Sequence, residues 1–182
     1  KQGEKMTIEQ DVKNWLADEG VFREKAADEN ADFHFVIEFP KDNVMDVVKP
    51  KEKDVIVIGC ATQVAPEHIS LMQNASPQDK NKFLFDISTN LNLFLVDYEL
   101  KVDQDILQQY VVTDNIYEDG LTKDALFKTI KRVFKAKLHC IMLLNYDFGN
   151  SNNNNSNNNA SKSTENKNDN SKSDAIIKGF ID

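Results

Sequence analysis

Two cysteines and two arginines, Arg23 and Arg132, are all that 182 residues hold of either type. Cys60 and Cys140 are too few for a disulfide framework, and both lie in apolar periodic segments. That usage favours buried thiols in a reducing cytosol, with a single Cys60–Cys140 bridge as the alternative. Long hydrophobic runs are missing as well. The longest, Val55–Ile58 and Cys140–Leu144, fall far short of the roughly eighteen apolar residues that span a bilayer. Lys1–Met6 has no apolar stretch of the kind a secretory leader carries, so the expectation is a cytoplasmic protein with no membrane partner. The glycines before residue 150 are isolated, at positions 3, 20, 59, 120 and 149, which leaves no glycine-rich loop to cradle a phosphate. The three histidines pair with the two cysteines at no zinc-binding spacing, so neither metal nor cofactor is expected.

Acid outweighs base. The chain carries 22 Lys and Arg against 30 Asp and Glu, a net charge of −8. Residues 150–182 sum to zero, so the whole excess sits on residues 1–149. Nucleic-acid binding is mostly phosphate neutralisation by basic side chains, and an acidic body argues against it. The one basic run, Lys128-Thr-Ile-Lys-Arg-Val-Phe-Lys-Ala-Lys137, reads as the solvated face of a helix. Asp97, Asp103, Asp105, Glu118 and Asp119 lack the alternation and central glycine of a calcium loop and read as solvated turn residues.

Along the chain the hydrophobic period changes several times. Thr7-Ile-Glu-Gln10 has the form of a capping box, and Ile8, Val12, Trp15 and Leu16 follow at helical spacing up to Gly20, a natural stop. Phe33, Phe35, Ile37 and Phe39 then alternate with more polar neighbours, the mark of a half-buried strand. Met45 and Val47 continue in a short strand, Val55–Thr62 forms a stronger one, and Val21–Ala26 is a weaker candidate ahead of all three. Pro66–Met72 reads as a short helix. Ser76-Pro-Gln-Asp79 opens a longer one whose apolar face holds Phe83, Leu84, Ile87, Leu91, Phe94 and Leu95. Tyr98, Leu100 and Val102 alternate, Gln109–Tyr117 supplies a partner strand, and Thr122 caps a last helix. Its stripe is Leu126, Ile130, Val133, Phe134, Leu138, Ile141 and Met142. Helix, three or four strands, helix, two strands, helix is an α+β order with an antiparallel sheet of about five or six strands. Residues 150–173, eleven of them Asn, cannot bury enough apolar surface to offset ordering entropy and are expected to be a disordered linker or insertion. Residues 174–182 end the chain as a short apolar segment.

With that order, Asp32-Phe-His-Phe-Val-Ile-Glu-Phe-Pro40, Met45-Asp-Val-Val-Lys-Pro50 and the run Tyr98 through Ile130 resemble an uncharacterised archaeal family. That family is similar to the type III secretion chaperone-like, or YbjN-like, superfamily, and the resemblance covers about residues 4–149. It implies a helix, an antiparallel sheet and further helices. It also implies a protein-binding role, since the best-known branch forms dimers that hold extended segments of partner proteins without an energy source. It carries over no catalytic residue.

No side-chain constellation for catalysis stands out. His34 reads as an exposed strand residue near Glu38, and His68 as a surface residue. His139 points about 100° away from Cys140, so the two do not form a thiolate–imidazole pair. The expectation is therefore a non-enzymatic module that binds a protein or peptide, with a homodimer as one form of it. Val36 and Val57 would line an open outer sheet face, and His34 and Glu38 its polar margin. The alternative is a small ligand-binding domain or enzyme with a pocket between sheet and helices, using His34 or His68 with nearby acids.

Overall fold

Residues 7–149 are described by the computed structural model; the Asn-rich tract 150–173 and the segment 174–182 lie outside the described residues. The first helix, α1 (Ile8–Asp18), is capped by the Thr7 hydroxyl, which accepts the Gln10 amide at 3.3 Å. The Gln10 side-chain amide donates to the Asn14 side chain one turn on. At the other end Gly20 takes φ +69°. Its amide reaches the Ala17 carbonyl and the Val21 amide reaches that of Leu16, a Schellman closure that only a residue at ease in the left-handed region makes without strain.

Four strands follow: β1 (Phe22–Lys25), β2 (Ala31–Glu38), β3 (Val44–Pro50) and β4 (Val55–Gln63). Two helices, α2 (Pro66–Asn74) and α3 (Pro77–Leu93), lead to β5 (Asp97–Asp103), β6 (Ile106–Tyr117) and the long α4 (Lys123–Phe148). The expected caps are in place. Ser76 accepts the Asp79 amide and Thr122 that of Ala125. All strands pair antiparallel in the order β1-β2-β3-β4-β6-β5, so β6 inserts between β4 and the edge strand β5. One edge is a four-residue strand interrupted by a bulge. The other carries Asp97, Glu99, Lys101 and Asp103, and both devices discourage open-ended sheet pairing.

The period-2 ladder faces inward as expected. Phe33, Phe35 and Ile37 join Val47, Ile58 and Val112 from the neighbouring strands. Against this layer pack Val12 and Leu16 of α1, Met72 of α2, Phe83, Ile87 and Leu91 of α3, and Leu126, Ile130 and Val133 of α4, in one continuous cluster. Phe33 stacks on Phe35 with centroids 4.7 Å apart, and Phe39 meets Phe134 edge-on. The stripe of α4 differs from expectation toward its end. Ala136, Cys140, Leu144 and Phe148 carry it, while Met142 is exposed. Lys137, expected on the solvated face, is buried and donates to the Asn43 side chain. Cys60 and Cys140 are both free and buried, and burial pushes each thiol up to about 12, which keeps them protonated and inert.

Candidate functional site

The outer sheet face is where Val36, Val57, His34 and Glu38 were expected to offer an open surface. By register Val36 lies between Glu24 and Asp46, and Val57 between Val48 and Asn115, so the residues do share that face. It is closed rather than open. Val36 and Val57 are only 7% and 6% exposed, and Val48 and Val111 are fully buried.

His34, read as an exposed strand residue, is buried too. What makes burial tolerable is charge compensation at both ring nitrogens. Nε2 lies 2.8 Å from Asp46 Oδ1 and Nδ1 lies 3.2 Å from Asp28 Oδ2. A ring with a carboxylate at each nitrogen is held as an imidazolium, donating twice. Burial alone would pull its pKa down, but the hydrogen bonds and charges of Asp46 and then Asp28 outweigh it and raise the value. Asp46 comes from β3, diagonal to His34 across the β2–β3 register, and Asp28 from the turn before β2. Sequence reasoning missed both aspartates. The only signal was a charged residue inside the apolar run Met45-Asp-Val-Val48, and it has meaning only once the register is known. A second compensated charge closes the sheet at its far end. Lys49 Nζ sits 3.0 Å from Glu118 Oε1 and 3.4 Å from Asp32 Oδ2, and it donates to the Lys53 carbonyl.

Glu38 stands apart from this network. It accepts the Asp42 amide, faces Arg23 at 3.7 Å, and lines a concavity of about 380 Å³ with Gly20, Phe22, Pro40 and Lys41. A second concavity of about 530 Å³ adjoins it, sharing Val21 and Phe39 and reaching Lys123, Phe127 and Lys131 of α4. Neither brings a histidine to a second titratable group. His68 instead bonds the Asn145 side chain, and His139 lies against the Phe94 ring.

The open apolar surface lies elsewhere, on α3. Its inward side buries Phe83, Ile87 and Leu91. Phe85 and Leu93 point away at 70% and 76% exposure, with exposed Thr89 between them. Positions i, i+4 and i+8 form one ridge on a helix. Immediately beyond, Leu95 was expected on the inward face. It has left the helix, sits at φ +57° and is 78% exposed. Its amide closes on the Asn92 carbonyl, so Leu95 occupies in α3 the capping position that Gly20 occupies in α1.

Among the described residues, no helix is long and apolar enough to cross a membrane. No group of three or more His, Cys, Asp or Glu among them could hold a metal ion. Comparison with known proteins adds a family. No curated protein matches the chain. A crystal structure of an uncharacterised protein from Methanothermobacter thermautotrophicus is similar at 41% identity and a TM-score of 0.76, over 78% of this chain and 99% of that one. Two distant similarities are the crystal structure of YbjN from E. coli (13% identity, TM-score 0.42, 72% of this chain and 89% of that one) and that of the ExsC–ExsE complex (11%, 0.47, 76% and 97%). Residues 8–144 match the model of the uncharacterised conserved proteins DUF2299, and the chain belongs to that family.

Proposed function

We propose that this domain is a non-enzymatic, cytoplasmic protein-association module and that its first partner is a second copy of itself, joined through α3. The observation that carries this reading is Leu95. A left-handed conformation costs an L-residue about 1–2 kcal/mol, and glycine would remove the cost. Placing an exposed leucine there lowers local stability and keeps an apolar side chain on the surface.

Three features favour self-pairing. The ridge Phe85–Thr89–Leu93 is symmetric about its small central residue. An antiparallel copy crossing at Thr89 therefore sets each Phe85 against the partner's Leu93, the self-complementary contact a two-fold interface needs. Charge does not oppose it locally. Asp79, Lys80, Lys82 and Asp86 cancel, and Lys82 already pairs with Asp86 at 2.5 Å, within a protein of net charge −8. Finally, large exposed apolar side chains gathered on one element mark an association surface more often than a chance arrangement.

Sedimentation equilibrium across a concentration series tests it. The expected result is a reversible dimer for the full chain, shifted to monomer by Phe85→Asp or Leu93→Asp with the far-UV spectrum unchanged. A wild-type chain that stays monomeric into the millimolar range, or a dimer indifferent to both substitutions, overturns it.

A further inference from the structure

We infer that the cleft between the end of α1 and the start of α4 binds an extended, acidic peptide segment carrying a bulky apolar residue. The inference does not depend on self-pairing through α3, because α3 packs on the other end of α4. Phe83 meets Phe148 and Phe94 meets His139 there, while the cleft opens at Lys123–Lys131.

The floor is apolar. Val21, Phe39 and Phe127 are partly buried side chains packed against the core, and all three line the cleft. Two concavities of about 530 and 380 Å³ meet over Val21 and Phe39 and form one open trough rather than an enclosed chamber. That shape takes one or two apolar side chains of an extended chain better than a buried metabolite, which would need to lose most of its surface to the pocket.

The rim decides the sign of the occupant. Its acids are already matched: Glu19 lies 2.6 Å from Lys123, Asp124 2.7 Å from Lys128, and Glu38 faces Arg23. Lys131 and Lys41 make no ion pair among the described residues. The unmatched charge around this trough is thus positive, on a protein whose total is −8. The first turn of α4 opens on the same spot and adds the positive end of a helix dipole. A carboxylate beside an apolar side chain satisfies both parts at once, and a basic or purely polar segment satisfies neither.

Fluorescence anisotropy on the full chain, with the labelled hexapeptide Glu-Asp-Phe-Leu-Asp-Glu as probe, tests the assignment. The expected result is saturable binding that weakens with salt. Glu-Asp-Ser-Ser-Asp-Glu and Lys-Lys-Phe-Leu-Lys-Lys should each bind at least ~10-fold more weakly, since neither offers apolar and acidic groups together. Lys131→Glu and Phe127→Ala should each weaken the first peptide by a similar factor. Lys131 is exposed, so its substitution leaves the fold intact and separates loss of site from loss of structure. Leu93→Asp should leave peptide binding unchanged. No binding, binding indifferent to Lys131→Glu and Phe127→Ala, or binding lost only in Leu93→Asp overturns the inference. So does tight binding of dodecanoate in the cleft with no response to the peptide, which would assign it to small amphiphilic carboxylates.

Discussion

The chain leaves both α1 and α3 through a left-handed residue, yet fills that turning position with opposite residues. Gly20 closes α1 at φ +69° and Leu95 closes α3 at φ +57°. Around Gly20 the chain turns inward, and Val21 and Phe22 pack against the core. Around Leu95 the chain also turns inward, with Phe94 and Val96 on the core, but Leu93 and Leu95 itself stay in solvent. The first end is built for stability alone. The second gives up stability at the same site to keep a branched apolar side chain outside, and that difference is the ground on which α3 is proposed as an association surface.

Substitutions can break this comparison or sharpen it. The largest effect lies away from both ends and sets the baseline. His34→Ala removes the imidazolium held between the Asp28 and Asp46 carboxylates, and breaking a buried pair in this way costs about 3–5 kcal/mol. Urea denaturation should show that loss, while the folded fraction still dimerises. Next is the ridge itself. Phe85→Ala and Leu93→Ala should each raise the dimer dissociation constant by ~30-fold or more, the size of an interface hot spot of about 2 kcal/mol, with thermal stability of the monomer unchanged. The two ends then respond in opposite directions. Gly20→Leu should destabilise by about 1–2 kcal/mol and leave association alone. Leu95→Gly should stabilise the monomer by up to about 1 kcal/mol and weaken the dimer by ~10-fold. If Leu95→Gly stabilises with no cost to association, Leu95 is a mere imperfection and the contrast collapses.

The smallest effect is on pH dependence. His34 titrates higher in the folded protein than in the unfolded chain. Its contribution is complete below the ordinary histidine value near 6.5 and fades as pH rises through the raised folded value. Stability to urea should therefore decline as pH rises from about 6.5 through the raised folded value and recover on return to pH 6. The proposed α3 contact involves Phe85, Thr89 and Leu93, none of them titratable, so the dimer constant should stay flat over the same interval.

Much of the architecture was legible because it is local. Alternation at Phe33–Phe39 identified the inward ladder, Gly20 the end of α1, and Ser76-Pro77 the start of α3. The element order followed from where the hydrophobic period changed. What escaped depends on distant parts of the chain or on residues that carry a weak signal. Leu95 looked like a further turn of the α3 stripe because a helix end closed without glycine leaves no mark in the sequence. The α4 stripe was drawn through Met142, whereas Ala136 and Cys140, too small to stand out, continue it in the structure. His34 looked solvated because its compensation comes from two aspartates whose nearness depends on strand register. The expected open face of Val36 and Val57 was misplaced for the same reason: single-strand patterning tells which residues share a face, not whether that face is closed.

The Asp28–His34–Asp46 triad also selects one alignment of the hairpin over one of its two nearest competitors. Sliding β2 along β3 by two residues would return every phenyl ring and every valine to its proper side, so greasiness alone cannot reject that mistake. Because Asp46 lies diagonal to His34, one direction of the slide would set it directly opposite the ring, but the other would carry it about 6.6 Å farther along the strand and leave a buried imidazolium with half its counter-charge. A polar trio in the middle of an apolar sheet thereby acts as a proofreader, penalising one of the two mispairings that hydrophobic patterning would let pass.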